Sequence, residues 1–412
     1  MDTIKRTLFE KLLLFFLIVS WVDFPRIIYD KFSLDTMTAF HGKNLLPFFG
    51  LGLILFVVYS YCRSAHFTKF KSITISFFIF LSSRLDKSDR LALLFILYMI
   101  LVNIFSAMIN DSDFNFRMVI PIFFAHCFYF FYKRFSEITV MDNIQAYFFK
   151  YVVYIISIIL LLQLAMFMGL VPGITQGFAP EIIPKVINFI RVDAEHIGYT
   201  SYLAIILLYI LLFMYEKIPN YQLISVYFLI FSVVIINQTR GAILIGSILL
   251  LSFFLFSIKL NAYLKFFFLT ALFLTIWIFF ENSFTHRIFI LSTVDTSASA
   301  RAFQMIETFK HALESPFFGY GSYYAQNLRF GEANQIVHSY YLRLFVSYGL
   351  IGILIFLFYF KSLFASKLTL KSIMGLFVIF GIFTFEPYLM WAVYLIAVFS
   401  TFSNEKNSIK LL

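Results

Sequence analysis

Residues 221–258 read YQLISVYFLIFSVVIINQTRGAILIGSILLLSFFLFSI, two long apolar runs divided by one short polar break, Asn237-Gln238-Thr239-Arg240-Gly241-Ala242. A helix of about 20 apolar residues crosses the hydrocarbon of a bilayer. The runs therefore read as two membrane helices, near 221–237 and 241–258, with a tight turn at the membrane boundary. The same reading outward gives spans near 8–24, 45–61, 91–109, 117–132, 150–171 and 198–215 before this pair. It gives 264–280, 341–360, 372–385 and 387–402 after it. The fold expected is all-α: a polytopic membrane protein of about twelve transmembrane helices, with residues 1–412 as a single membrane domain. The last two spans could also be one helix broken at Glu386-Pro387, because proline interrupts helical hydrogen bonding. The shorter apolar run Ser72 to Ser83 lies between Arg63, Lys69, Lys71 and Arg84, Lys87, Arg90, and reads as cytoplasmic or interfacial.

Composition agrees with lipid as the solvent. Hydrophobic residues are 61% and charged residues 13% of the 412, against roughly half and a quarter in a soluble domain. The basic run Lys5, Arg6, Lys11 precedes the first span, but Trp21, Asp23 and Pro25 follow it where a signal peptide would carry small residues, so it reads as a membrane helix. Cys62 and Cys127 support neither a disulfide framework nor a cysteine metal site. The net charge of +10 is divided among short loops rather than gathered on one face, which argues against a nucleic-acid partner. With the N-terminus inside, 20 of the 32 Lys and Arg fall in cytoplasmic segments. The positive-inside rule then puts both termini in the cytoplasm. Two external segments are long, 172–197 and 281–340, and loops of that length are usually functional or disordered.

The residues that could carry chemistry cluster in these external segments. Arg240, in the short turn, must hold its guanidinium at the membrane boundary, where charge is costly unless paired or solvated and often marks a substrate path. Snorkelling as an anchor is the other reading. Arg191 lies in Ile190-Arg191-Val192-Asp193-Ala194-Glu195-His196, where a local salt bridge is the alternative to function. Arg301 opens an apparent amphipathic helix that runs through Phe309 and His311 to a stop at Ser315-Pro316. His338 stands where the long segment re-enters the membrane, in His338-Ser339-Tyr340-Tyr341-Leu342. An imidazole can take a proton from a hydroxyl near neutral pH and release it again, though a lone histidine is more often packed or capping. No HExxH, paired-aspartate, Walker-type or GxGxxG pattern is present, so the sequence implies no metal, no cofactor and no nucleotide-sugar donor.

Three motifs together carry a resemblance. They are the turn Gln238-Thr239-Arg240-Gly241-Ala242; the loop Ser315-Pro316-Phe317-Phe318-Gly319-Tyr320-Gly321 after Arg301; and His338-Ser339-Tyr340-Tyr341-Leu342 followed by Tyr348-Gly349-Leu350-Ile351-Gly352. The set resembles the O-antigen polymerase and O-antigen ligase superfamily, with its Ser-Arg-Gly turn, Asn-Pro-x-x-Gly-x-Gly loop and His-Asn-x-x-Leu re-entry. Thr239, Ser315 and Ser339 depart from that pattern, each as one small polar residue for another. The resemblance implies a GT-C-like glycosyltransferase fold in the bacterial inner membrane and a polyprenyl-diphosphate-linked oligosaccharide as donor. It implies that Arg191, Arg240 and Arg301 hold the diphosphate and that His338 serves as base or positioner, with Glu195 as the competing base. Tyr323, Tyr324 and Tyr341 would offer aromatic faces to sugar rings. Beyond the substrate and the bilayer, a chain-length regulator protein is the partner to expect. Polymerase is the favoured activity; ligase transfer to lipid A core and a lipid-linked oligosaccharide transporter are the alternatives.

Overall fold

A computed structural model of the chain describes residues 3–22, 85–110, 118–138, 144–170, 174–177, 190–193, 199–214, 220–237, 240–257, 296–323, 339–364, 369–385 and 390–401, with single positions at 52, 266 and 270. Four helices come first: α1 (Thr3–Trp21), α2 (Lys87–Asn110), α3 (Val119–Ile138) and α4 (Ile144–Phe167). Two short strands follow, β1 (Ile174–Gly177) and β2 (Ile190–Asp193), and then α5 (Tyr199–Met214), α6 (Asn220–Asn237) and α7 (Arg240–Ser257). The chain continues with α8 (Thr296–Glu314), α9 (Tyr340–Leu363), α10 (Leu370–Phe385) and α11 (Met390–Thr401). The spans expected at 45–61 and 264–280, and the run at 72–83, lie outside the described residues; each of the other expected spans falls on a helix.

Among the described residues, three helices are long and apolar enough to cross a membrane: Lys87–Ile109, Ile144–Phe167 and Tyr340–Leu363. At 1.5 Å per residue, the 24 residues of α4 are about 36 Å long, more than the roughly 30 Å of hydrocarbon, whereas α9 is interrupted at Gly349 and Tyr340 packs back on Phe356. The helical expectation gains one addition. β1 and β2 pair antiparallel within the 172–197 segment, Gln176 opposite Arg191.

The bundle is built around α5, whose residues 200–212 are all buried. A helix apolar on every side belongs in the middle of a bundle, and α5 packs against α4, α6, α7, α10 and α11. Gly246 of α7 faces Ile205 of α5, and Gly381 of α10 faces Ile245, the small residues that let helix axes approach closely. Tyr209 donates its hydroxyl proton to the Lys371 carbonyl at 2.9 Å, tying α5 to the start of α10. α10 and α11 are separate helices that pack on one another, with Gly375 facing Ile396.

Outside α5 the closest partnership is between α2 and α9, and the part of α9 after Gly349 runs antiparallel to α2. Phe95 packs on Phe356 and Tyr359, and Tyr98 donates a hydrogen bond to the Tyr348 carbonyl at 2.9 Å.

Candidate active site

α8 stops at Glu314 because Ser315 precedes a proline, which biases the residue before it away from helix. The segment that follows does not turn away into solvent but threads into a gap in α9. That gap is at Gly349, whose φ of 62° and ψ of −168° interrupt the helix. In an unbroken helix the Leu350 N–H would bond to the Val346 carbonyl and the Ile351 N–H to that of Ser347. Instead Leu350 donates to the Pro316 carbonyl at 2.7 Å and Ile351 to that of Phe317 at 3.2 Å, while the Val346 carbonyl accepts from the Tyr320 N–H at 2.7 Å. The loop thus takes over backbone groups that the break releases, and buried backbone groups are nearly always paired.

Glycine is what allows two backbones to meet here. A Cβ on Gly349 would stand 2.3 Å from the carbonyl carbon of Phe317, and one on Gly319 would stand 2.5 Å from that of Ser347. Both also have positive φ, 62° and 73°, which side chains disfavour. Gly319-Tyr320-Gly321 is therefore half of a backbone clasp, and Tyr348-Gly349 is the other half.

α2 locks the clasp from the side. Asn103 accepts a hydrogen bond from the Ser322 N–H at 2.8 Å and donates to the Tyr348 hydroxyl at 3.4 Å. Ser106 donates to the Tyr320 carbonyl. Asn103 is buried; a lone amide in the apolar run Leu91 to Ile109 is the kind of intramembrane polar residue that marks a built site. The sequence reading passed over it.

The other end of α2 is held by charge. Asp86 and Asp89 cap the helix reciprocally: Asp86 Oδ1 accepts from the Asp89 N–H at 2.9 Å, and Asp89 Oδ2 accepts from the Asp86 N–H at 3.0 Å, as in a capping box. Lys133 of α3 bridges them at 2.7 and 2.8 Å. Arg134 and His126 stand 3.6 and 3.2 Å from the almost fully buried Asp89. His126 continues to the Tyr359 hydroxyl at 2.8 Å, and Tyr359 pairs with the Tyr394 hydroxyl. Burial works to raise the Asp86 pKa, but hydrogen bonds from Lys133, Ser88 and the Asp89 N–H, with the Lys133 charge, outweigh it and hold the carboxyl well below the usual carboxylate range.

The residues singled out from the sequence fall unevenly on this frame. Arg240 opens α7, Arg191 lies in β2 and Arg301 in α8, as backbone positions. The contacts Tyr340–Phe383, Gly381–Ile245 and Gly246–Ile205 bring the start of α9, the end of α10, the start of α7 and the start of α5 to one end of the bundle. α9 folds back at its break, so Tyr340 packs on Phe356, beyond the clasp. Tyr323 is exposed just after it. Tyr341 is half-buried, its ring 5.3 Å from that of Phe380 and 5.9 Å from that of Phe383, and it lines an apolar groove with Phe356, Leu357 and Phe377. His338, Glu195 and Tyr324 lie outside the described residues; Ser339, next to His338, is the N-cap of α9.

Residues 225–357 match the family model described as O-antigen ligase. This is the O-antigen polymerase and ligase superfamily that the three motifs resemble. The O-antigen ligase match begins within α6 and ends within α9, so it takes in the turn at Arg240, α8, the clasp and the re-entry at His338. No curated protein matches the chain. Within the matched region the clasp binds the loop before Gly321 to the helix after His338.

Proposed function

We propose that the chain is an O-antigen polymerase, joining polyprenyl-diphosphate-linked oligosaccharide repeat units at the periplasmic face of the bacterial inner membrane. The observation that carries the reading is the coincidence of the matched region with the clasp and with the starts of α7 and α9 at Arg240 and Tyr340, and with Arg301, which lies inside α8 rather than opening it. The clasp and the Lys133 cluster sit at opposite ends of α2, which supports a topology with Lys133 cytoplasmic and the clasp external. So does the 20 of 32 share of Lys and Arg in the cytoplasmic segments. The termini are then cytoplasmic, and the bundle, with the spans expected at 45–61 and 264–280, has a GT-C-like arrangement.

In this reading an acceptor hydroxyl oxygen attacks the anomeric carbon of the donor. The bond from that carbon to the diphosphate breaks, and the polyprenyl diphosphate leaves with the electron pair. Arg191, Arg240 and Arg301 hold the departing diphosphate, because guanidinium forks match phosphate oxygens and stabilise the charge that develops there. The acceptor proton passes to His338, with Glu195 the rival base. Tyr323, Tyr324 and Tyr341 are the rings proposed for the sugars. The chemistry uses the activation already present in the donor and calls for no cofactor, and a chain-length regulator is the protein partner proposed.

The description of the matched family favours a second reading, transfer of the finished glycan to lipid A core. Purified protein in lipid, given a lipid-linked repeat unit alone and then with lipid A core, separates them. A ladder from the first mixture is the expected result. Product only when core is added makes the chain a ligase, and movement of the unit across the bilayer without new glycosidic bonds makes it a transporter.

A further inference from the structure

α8 has three faces where a soluble helix has two. At about 100° per residue, Gln304, Thr308 and Ala312 share one side, and all are buried, Thr308 and Ala312 fully. This side meets α9: Ala312 clusters with Val346, and the Phe309 ring at the edge of the contact is 6.0 Å from that of Phe345. The next side carries Met305, Ile306, Phe309 and Leu313, with Ile306 at 56%, Phe309 at 48% and Leu313 at 54% exposure. The third carries Glu307, Lys310 and Glu314, with Lys310 and Glu307 paired at 2.6 Å and His311 at its margin 3.3 Å from Glu314. Phe303 is the one described apolar residue on that third side.

A helix on a soluble protein turns its apolar stripe to the core and its polar residues outward. α8 turns its polar and small residues to α9 and its large apolar residues away from the protein. The apolar side also does not stop at the end of the helix. Phe317 and Phe318 follow it, both exposed, and the Leu350 N–H bonds to the carbonyl of Pro316 beside them. Leu350 in turn begins the exposed row Leu350, Leu354, Leu357 and Phe358 along the part of α9 after its break, an apolar helical segment of the bundle. The apolar side of α8 is therefore continuous with the outward-facing apolar row on α9.

We propose that α8 is an interfacial helix, lying at the membrane surface with one side on α9, one in water and the Ile306–Phe309–Leu313 side in the bilayer. Its occupant is lipid, at the boundary of headgroups and acyl chains, where amphipathic helices seat an apolar face about 5–10 Å deep. Continuity with the row on α9 argues for lipid over a second protein surface, since one uninterrupted solvent then covers both. Resting on the proposed function, this fixes the clasped loop at headgroup height, where the diphosphate of a membrane-embedded donor lies. The placement itself does not need that function.

The test is nitroxide labelling of single cysteines in the full chain with Cys62→Ser and Cys127→Ser, reconstituted in nanodiscs without substrate. Ile306→Cys, Phe309→Cys and Leu313→Cys report the apolar side; Glu307→Cys, Lys310→Cys and Glu314→Cys report the charged side. Relaxation by oxygen, which concentrates in lipid, is compared with relaxation by a neutral nickel chelate, which stays in water, for variants that elute as the parent does. A higher oxygen-to-nickel ratio on the apolar side than on the charged side is expected. Nickel access equal on both sides would overturn the proposal by placing the apolar side in water. Exclusion of both reagents from the apolar side would overturn it by showing protein, a second copy or another part of this chain, over that side. Because no substrate is present, loss of the polymerase reading leaves either result unchanged.

Discussion

The two ends of α2 are held by opposite means. At the Lys87 end, Asp89 is almost fully buried among Lys133, Arg134 and His126, so the joint is ionic and its charges satisfy one another. At the Asn110 end, some 14 residues or about 21 Å further along α2, the joint is backbone against backbone, with glycine at the contact and Asn103 as its bolt. Paired buried charge resists movement and binds nothing else without losing its partners. A neutral clasp holds two chain segments in register without using any charged side chain. Chemistry on an anionic substrate fits best at the end whose joint consumes no charge, where α5 and α7 begin.

The largest effect belongs to the ionic joint. Asp89→Asn removes the carboxylate and leaves Lys133 and Arg134 facing a neutral amide in a buried site, a change that typically costs about 3–5 kcal/mol. Thermal unfolding of the purified protein in detergent, followed by monodispersity on gel filtration, should show a large fall in midpoint. An unchanged midpoint would mean that the Asp86–Lys133 pair alone holds this end.

Gly349→Ala comes next and acts on the other joint. The added Cβ would lie 2.3 Å from Phe317 backbone atoms at a φ of 62°, and strained backbone of this kind costs of order 1–3 kcal/mol. The clash with backbone adds to that strain, so the expected result is a fall in midpoint together with a larger loss of glycan transfer per folded molecule than for Asp89→Asn, since the clasp sets where the segment after His338 runs. Transfer at the parental rate would reduce the clasp to packing alone.

Much of this frame was legible in the amino-acid order. The membrane helices announce themselves as apolar runs of span length, α8 ends where Ser315-Pro316 says it must, and the capping pair is written in Asp86-Lys87-Ser88-Asp89. The β1–β2 ladder left only a four-residue alternation at Ile190-Arg191-Val192-Asp193, too short to outweigh other readings. The glycines of the clasp were legible as motifs but their interlock was not, because hydrogen bonds between backbones carry no side-chain signature beyond the glycine itself. Lys133 and Arg134 were read only as topology charges, and His126 was hidden within an apolar run. Asn103 could have been found, as a single amide within a membrane span.

In the proposed function the ionic end keeps the bundle together and the clasped end carries sugar transfer. That separation is tested most directly by measuring polymer formed from a lipid-linked repeat unit per folded molecule for Arg240→Lys and Asp89→Asn beside the parent. A compact ammonium does not reproduce the two-pronged hold of a guanidinium on phosphate. The prediction is therefore that Arg240→Lys loses most turnover at parental stability, whereas Asp89→Asn loses stability and keeps parental turnover in the fraction that remains folded. Parental turnover for Arg240→Lys together with collapsed turnover for folded Asp89→Asn would contradict it and move the chemistry to the other end of α2.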